Sequence, residues 1–347
     1  MIDNEDRMKE TEFVIIVPAY NAEEHLERCI RSVTLQNYRH FMLVITDDGS
    51  RDATGEIAER FASQDDRIAV IRQENCGQIM ARSAGIAYAL ERCGDDAFFL
   101  FLDADDELKD GSLGRINTLL QENGCDMLFF SAETFDTQSG KTLGTLSGSA
   151  AGSVSTKSEL YQIVLYDTGY NSLCRKALSK AIVGAVDYSA YSHLRYGEDL
   201  IQSLAYYKNA HTVYFTQEVF YRYHMNHASV THQVDFYSYP IDATVRRLTW
   251  EFVTEEKVWS EEELNAYAQF LLDLLERKLI SLSCFNVPYE EKAKVFDEVQ
   301  QDEFYAMLLG MELRRGRIIK LLLKKRYRRL IHEAIIKKAV RHVFPIK

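Results

Sequence analysis

A chain of 347 residues that is 46% hydrophobic and 12% aromatic can bury a sizeable core. That excludes a disordered protein and leaves one large catalytic domain with an accessory region, or two domains. The net charge of −11 argues against general nucleic-acid binding. It also hides an asymmetry, because residues 311–347 carry 13 Lys and Arg against 2 Asp and Glu, which leaves −22 on the preceding 310.

The six cysteines (Cys29, Cys76, Cys93, Cys125, Cys174 and Cys284) are scattered and form no CxxC pair. They read as reduced thiols of a cytoplasmic protein. The stretch from Met1 to Glu12 is charged and lacks the apolar centre of a signal peptide. No uninterrupted apolar run approaches the roughly 18 residues needed to span a bilayer.

In chain order, Phe13–Val17 reads as a strand and Ala22–Gln36 as a helix with Leu26, Ile30 and Val33 on one face. Strand Phe41–Thr46 precedes helix Thr54–Ser63, and strand Ile68–Ile71 precedes helix Gln78–Glu91. Strand Phe98–Leu102, helix Ser112–Glu122 and strand Asp126–Ser131 follow. Short links between alternating strands and helices predict a doubly wound parallel sheet. Residues 136–153, rich in Gly, Ser and Thr, read as a loop. A further helix is expected over Glu198–Asn209, and beyond about 233 the pattern is all helical. The expected division is a catalytic domain over 1–232, a helical accessory region over 233–310 and a basic amphipathic helix over 311–347.

Four polar clusters fall at or near predicted strand ends, where ligands of open α/β sheets bind. In the first, Pro18 ends a strand and Tyr20 offers a face on which a base could stack; Asn21 and Glu23 also suit the start of a helix. In the second, Asp47-Asp48-Gly49-Ser50, a carboxylate could accept the N3–H of uracil, or the segment is a plain turn. The third, Asp103-Ala104-Asp105-Asp106, follows a buried apolar strand. Carboxylates crowded there repel one another, and a divalent cation on a phosphorylated ligand would relieve them. Asp103 and Asp105, at alternate positions, would face the same side. The fourth, Gly197-Glu198-Asp199, opens a helix; one carboxylate could be a general base, or both simply complement the helix dipole. The residues alone thus point to metal-assisted handling of a nucleotide diphosphate.

The order of these clusters resembles family 2 glycosyltransferases. The matching stretches are PAYN at 18–21, DDGS at 47–50, ARSAGI at 81–86, DADD at 103–106 and GED at 197–199, with Tyr221-Arg222-Tyr223-His224 and Ser229-Val230-Thr231 similar to the family's closing element. The resemblance covers roughly 12–231. It implies an α/β GT-A nucleotide-diphospho-sugar transferase fold, a doubly wound and mostly parallel sheet with a C-terminal helical region. Pro18, Tyr20 and Asp48 would line the nucleoside site, and Glu23 and Ala104 would also bind the nucleotide sugar. Arg82 would approach the diphosphate or the sugar. Asp103 would reach the ribose or a metal, and Asp105 the Mn²⁺ or Mg²⁺ that bridges the diphosphate. Asp199 would be the base, with Glu198 positioning acceptor or donor. His224 could touch metal or phosphate, and His227 less so. The implied reaction is inverting transfer from a nucleotide-sugar donor, expected to be a UDP-sugar, to a glycan or lipid-linked acceptor during polysaccharide assembly, with no nucleic-acid partner. The competing readings are a sugar-phosphate nucleotidyltransferase and an inactive transferase-like scaffold.

Arg317–Phe344 reads as one amphipathic helix with Ile319, Leu323, Tyr327, Leu330 and Ala334 on its apolar face. Its lysines and arginines suit an anionic membrane surface on the cytoplasmic side, packing against the acidic body, or a partner. Leu271, Leu272, Leu275, Leu279 and Leu282 form a stripe expected in a core or a dimer seam.

Overall fold

The computed structural model describes residues 10–184, 186–192, 194, 197–225, 236 and 239–343. The chain divides into two compact units, Met1–His232 and Gln233–Lys347.

The first unit is built on a mixed sheet. Strand β1 (Phe13–Ala19) is buried along its whole length, as a central strand covered on both faces must be. After α1 (Leu26–Thr34) come β2 (Phe41–Asp47), α2 (Thr54–Ala62), β3 (Ile68–Arg72), α3 (Gln78–Leu90) and β4 (Phe98–Phe101). Strands β3, β2, β1 and β4 lie side by side and parallel. The short β5 (Glu107–Leu108), α4 (Ser112–Asn123) and β6 (Met127–Asp136) follow. Further along are β7 (Lys141–Leu146), β8 (Gly152–Val154), α5 (Lys157–Tyr166), β9 (Lys176–Ser179), α6 (Glu198–Asn209) and β10 (Val213–Met225). The sheet order is β3-β2-β1-β4-β9-β6-β10-β5, with β7 on β6 and β8 on β10.

The sheet is mostly parallel, as expected, with β9 entering antiparallel between β4 and β6. Two sequence expectations change. Helix α1 starts at Leu26, after a turn in which the Ala22 carbonyl accepts from His25 and Leu26 N–H, while Asn21 and Glu23 are tied to the loop ahead of α2. Residues 136–153 contain β7 and β8, where alternating Thr142, Leu143, Thr145 and Leu146 extend a hairpin on β6.

The second unit is helical: α7 (Tyr239–Glu256), α8 (Glu261–Ser283), α9 (Tyr289–Gln301), α10 (Glu303–Gly310), α11 (Arg317–Leu323) and α12 (Tyr327–Val343). Ser260 opens α8 with a capping box to Glu263. Leu271, Leu272, Leu275, Leu279 and Leu282 are all buried there. The single helix expected over Arg317–Phe344 is two helices, broken where Lys325 takes a left-handed φ of 50°. Phe344 lies outside the described residues. Ile318, Ile319, Leu322, Leu330 and Ala334 are buried, with α11 and α12 packed on α8 and α9. Leu323, expected on the apolar face, is exposed at the break.

Candidate active site

The first two motifs are sewn together. Pro18 and Ala19 pair in register with Thr46 and Asp47, and Asp48 N–H donates to the Ala19 carbonyl at 2.9 Å. Asn21, in a left-handed conformation at φ 48°, does not cap α1. Its N–H donates to Ser50 Oγ at 3.0 Å, and its Oδ1 accepts from Arg51 N–H at 2.9 Å. Glu23 likewise serves the neighbouring helix, accepting from Ala53 N–H just ahead of α2 at 2.9 Å. Gly49 must be glycine: its φ is +75°, and a Cβ there would sit 2.9 Å from the Asn75 nitrogen. Tyr20 stands 48% exposed beside this seam.

Asp48 is buried and accepts three hydrogen bonds, from Gln73 Nε2 at 2.7 Å, Cys76 N–H at 2.9 Å and Gly77 N–H at 2.9 Å. Three of its roughly four lone-pair directions are therefore taken. These bonds fix the N-terminus of α3, and α3 carries the centre of the site. Gln78 Nε2 donates to Asp103 Oδ1 at 2.9 Å. Arg82, one turn on, is 1% exposed and forks between two carboxylates. Its Nη2 donates to Asp103 Oδ1 at 2.9 Å and its Nη1 to Asp199 Oδ1 at 2.5 Å. Burial alone would lower the guanidinium's pKa, but Asp199 and Asp103 outweigh it and hold the charge firmly.

The Asp103–Asp106 turn carries three carboxylates with three different duties. Asp103 Oδ2 accepts from the Cys174 thiol at 3.4 Å. Asp106 is fully buried and anchors the turn, accepting from Tyr221 Oη at 2.5 Å and His224 N–H at 2.8 Å. Burial first, then Asp105 and Asp103, push its carboxyl well up. Ala104 is buried between its acidic neighbours. Among the described residues the Asp105 side chain has no hydrogen-bond partner, and its carbonyl accepts from Arg28 Nη2 at 2.5 Å. Burial, then the Asp103 charge, push it up as well. Sequence reasoning missed the anchoring role of Asp106; the Tyr of Tyr221-Arg222-Tyr223-His224 was its only trace.

The fourth motif arrives on α6. Asp199 Oδ2 accepts from Leu173 N–H at 3.2 Å while its Oδ1 holds Arg82. Glu198 Oε2 is buried without a hydrogen-bond partner among the described residues, and burial, then Asp199, push the carboxyl up to about 7. Burial thus favours the protonated form of Glu198, the form in which it can serve as an acid or hydrogen-bond donor.

His224 does not reach this centre. Its Nε2 meets Glu107 Oε2 at 2.5 Å and its Nδ1 meets Thr137 Oγ1 at 3.2 Å. Both ring nitrogens are engaged, so the expectation that it binds metal is withdrawn. His227 and Ser229-Val230-Thr231 lie outside the described residues. No cluster of three or more His, Cys, Asp or Glu among the described residues could enclose an ion. The unpartnered Asp105 carboxylate with Asp103 beside it fits instead a cation whose remaining ligands are phosphate oxygens.

The sheet and the acidic rim at its strand ends define a GT-A nucleotide-diphospho-sugar transferase fold. Residues 14–183 match the model described as glycosyl transferase family 2, and that stretch belongs to the family. Glycosyltransferase GlyA of Streptococcus pneumoniae is 32% identical over 126 residues, 36% of this chain and 17% of the relative. Glycosyltransferase GlyG of the same organism is 30% identical over 36% of this chain and 40% of its own length. The uncharacterized glycosyltransferase EpsJ of Bacillus subtilis is 35% identical over 33% and 32%. The chain thus spans well under half the length of these curated relatives. S. aureus TarS 1–349 in complex with UDP-GlcNAc superposes with a TM-score of 0.67 at 18% identity, covering 96% of this chain and 92% of that one. Its complex with UDP gives the same values.

Proposed function

We propose that this protein is an inverting glycosyltransferase that moves a sugar from a UDP-linked donor to a hydroxyl of a glycan or lipid-linked glycan in cell-surface polysaccharide assembly. The observation that carries the reading is that helix α3 and the Gly77 that caps it touch Asp48, Asp103 and Asp199 through Gly77, Gln78 and Arg82. Nucleoside, diphosphate and base functions are thereby held on one rigid element.

Tyr20 would stack on the base, and the one lone pair of Asp48 left over would accept its N3–H. Mn²⁺ or Mg²⁺ at Asp105 and Asp103 would neutralise charge on the departing diphosphate. Asp199 takes the proton of the acceptor hydroxyl as its oxygen bonds to the anomeric carbon. The bond to the diphosphate oxygen breaks on the opposite face, and its electron pair leaves with the nucleotide. A single base and no covalent nucleophile give inversion. Glu198, protonated below about 7, would donate to a sugar hydroxyl.

No described helix is long and apolar enough to cross a membrane. Exposed Lys320, Lys324, Arg326 and Arg328 lie near exposed Leu323 on the second unit and would suit an anionic lipid surface. The activity is tested by hydrolysis of a panel of UDP-, GDP- and dTDP-sugars with Mn²⁺ or Mg²⁺. UDP-sugar turnover is expected, and failure of every donor would reject the reading. Pyrophosphate release from a nucleoside triphosphate and a sugar phosphate would instead identify a nucleotidyltransferase.

A further inference from the structure

Lys176 opens β9 and is fully buried, yet among the described residues no carboxylate contacts its ammonium. Its Nζ donates to the Ser172 carbonyl at 2.6 Å, to Ser203 Oγ at 3.2 Å and to the Asn171 carbonyl at 3.4 Å. It also lies over the rings of Phe129 and Tyr207, 5.4 and 5.6 Å from their centroids. A lysine this deep costs desolvation that neutral acceptors only partly offset. Burial accordingly lowers it from 10.5 to about 7, with the Asp199 charge acting in the opposite sense.

Its partners explain why a cation sits there. The 171–172 carbonyls it grips precede Leu173, whose N–H holds Asp199 Oδ2 at 3.2 Å. Ser203 donates in turn to the Asp199 carbonyl at 2.7 Å. Lys176 therefore joins the two segments that fix Asp199: the turn before β9 through its carbonyls, and α6 through the Ser203 hydroxyl that is bonded to the Asp199 carbonyl.

We propose that Lys176 is a positioning residue for Asp199, a buried cation that fixes the two segments flanking this carboxylate and favours its ionised form. The inference rests on Asp199 being the base. The charged and titratable groups around Lys176 are Asp199 and Tyr207 from α6, Arg175 and Cys174 from the preceding turn, and Arg82 from α3. Arg82 and Arg175 oppose its charge, so Asp199 is the anion that supports it.

Coupling between two sites is reciprocal. In the ¹³C-lysine-labelled full chain, Asp199→Asn is expected to move the Lys176 ε-carbon titration down by about one pH unit. An unmoved titration overturns the proposal, and this arm needs no turnover. In the hydrolysis assay, Lys176→Met is expected to move the acid limb of the kcat profile up by about one pH unit with little change in donor KM. Lys176→Arg, which keeps the charge, should leave the limb in place. The same limb shift in both variants reduces Lys176 to packing and also overturns the proposal. If Lys176→Met does not fold, the lysine titration decides alone. Absence of turnover by the unaltered protein rejects the transferase reading, whereas turnover with an unmoved limb rejects only this inference.

Discussion

Arg82 and Asp199 are 117 residues apart in sequence and meet at 2.5 Å, with the guanidinium 1% exposed. The same guanidinium holds Asp103, so Arg82 joins the predicted diphosphate end of the site to the predicted base.

That relationship predicts a stability effect. Arg82→Met removes the guanidinium that bridges Asp103 and Asp199. Removing one partner of a buried ionic cluster costs about 3–5 kcal/mol. Thermal and chemical denaturation should show a loss of that order, and Lys should restore only part of it because it cannot fork between two carboxylates. A loss within error of zero would mean that the cluster contributes nothing to the fold.

The two carboxylates at the start of α6 should separate kinetically. Asp199→Asn should lower kcat by roughly 10²–10⁴-fold, as expected for loss of a general base, with donor affinity nearly unchanged. Glu198→Gln keeps a hydrogen-bond donor and should cost much less at neutral pH. Equal losses in the two variants would rule out this division of roles.

Stability should depend on pH in two opposite windows. Glu198 titrates at about 7 when folded and at 4.5 when unfolded, so between those values the folded state binds the extra proton and stability falls as pH rises. Lys176 titrates at about 7 folded and 10.5 unfolded, so above 7 the unfolded chain binds the extra proton and stability rises with pH. Denaturation followed from about pH 5 to about pH 9 checks both, because Glu198→Gln should flatten the lower window and Lys176→Met the upper.

The basic surface of α11 and α12 can be tested without disturbing the buried Ile318, Ile319 and Leu322. Replacing Lys320, Lys324 and Arg326 by Glu should abolish co-sedimentation with anionic liposomes, an electrostatic attraction of about 1 kcal/mol per cation. Salt should weaken binding by the unaltered protein. Equal sedimentation of both proteins would exclude a membrane role for these residues.

The strands that carry the motifs were legible because apolar runs such as Phe13–Val17 and Phe98–Leu102 end in polar clusters. Their convergence was legible only through the order of motifs. Nothing local in Ala81-Arg82-Ser83 says that Arg82 reaches carboxylates 21 and 117 residues away. Asn21 and Glu23 misled in a specific way. Both suit the start of the following helix, yet tertiary pairing spends them on the neighbouring loop. His224 looked like a ligand, but Glu107 and Thr137 take its two nitrogens. Lys176 was invisible because a lysine in sequence reads as exposed. The break at Lys325 was hidden by a helical period that continues across it.

Calorimetry of UDP binding with and without Mn²⁺, for the unaltered protein and for Asp105→Ala, tests whether the acidic rim holds a cation and a diphosphate together. We expect Mn²⁺ to tighten UDP binding strongly in the unaltered protein and to do nothing in the variant. UDP affinity that ignores Mn²⁺, or a Mn²⁺ effect that survives the loss of Asp105, would contradict the site described here.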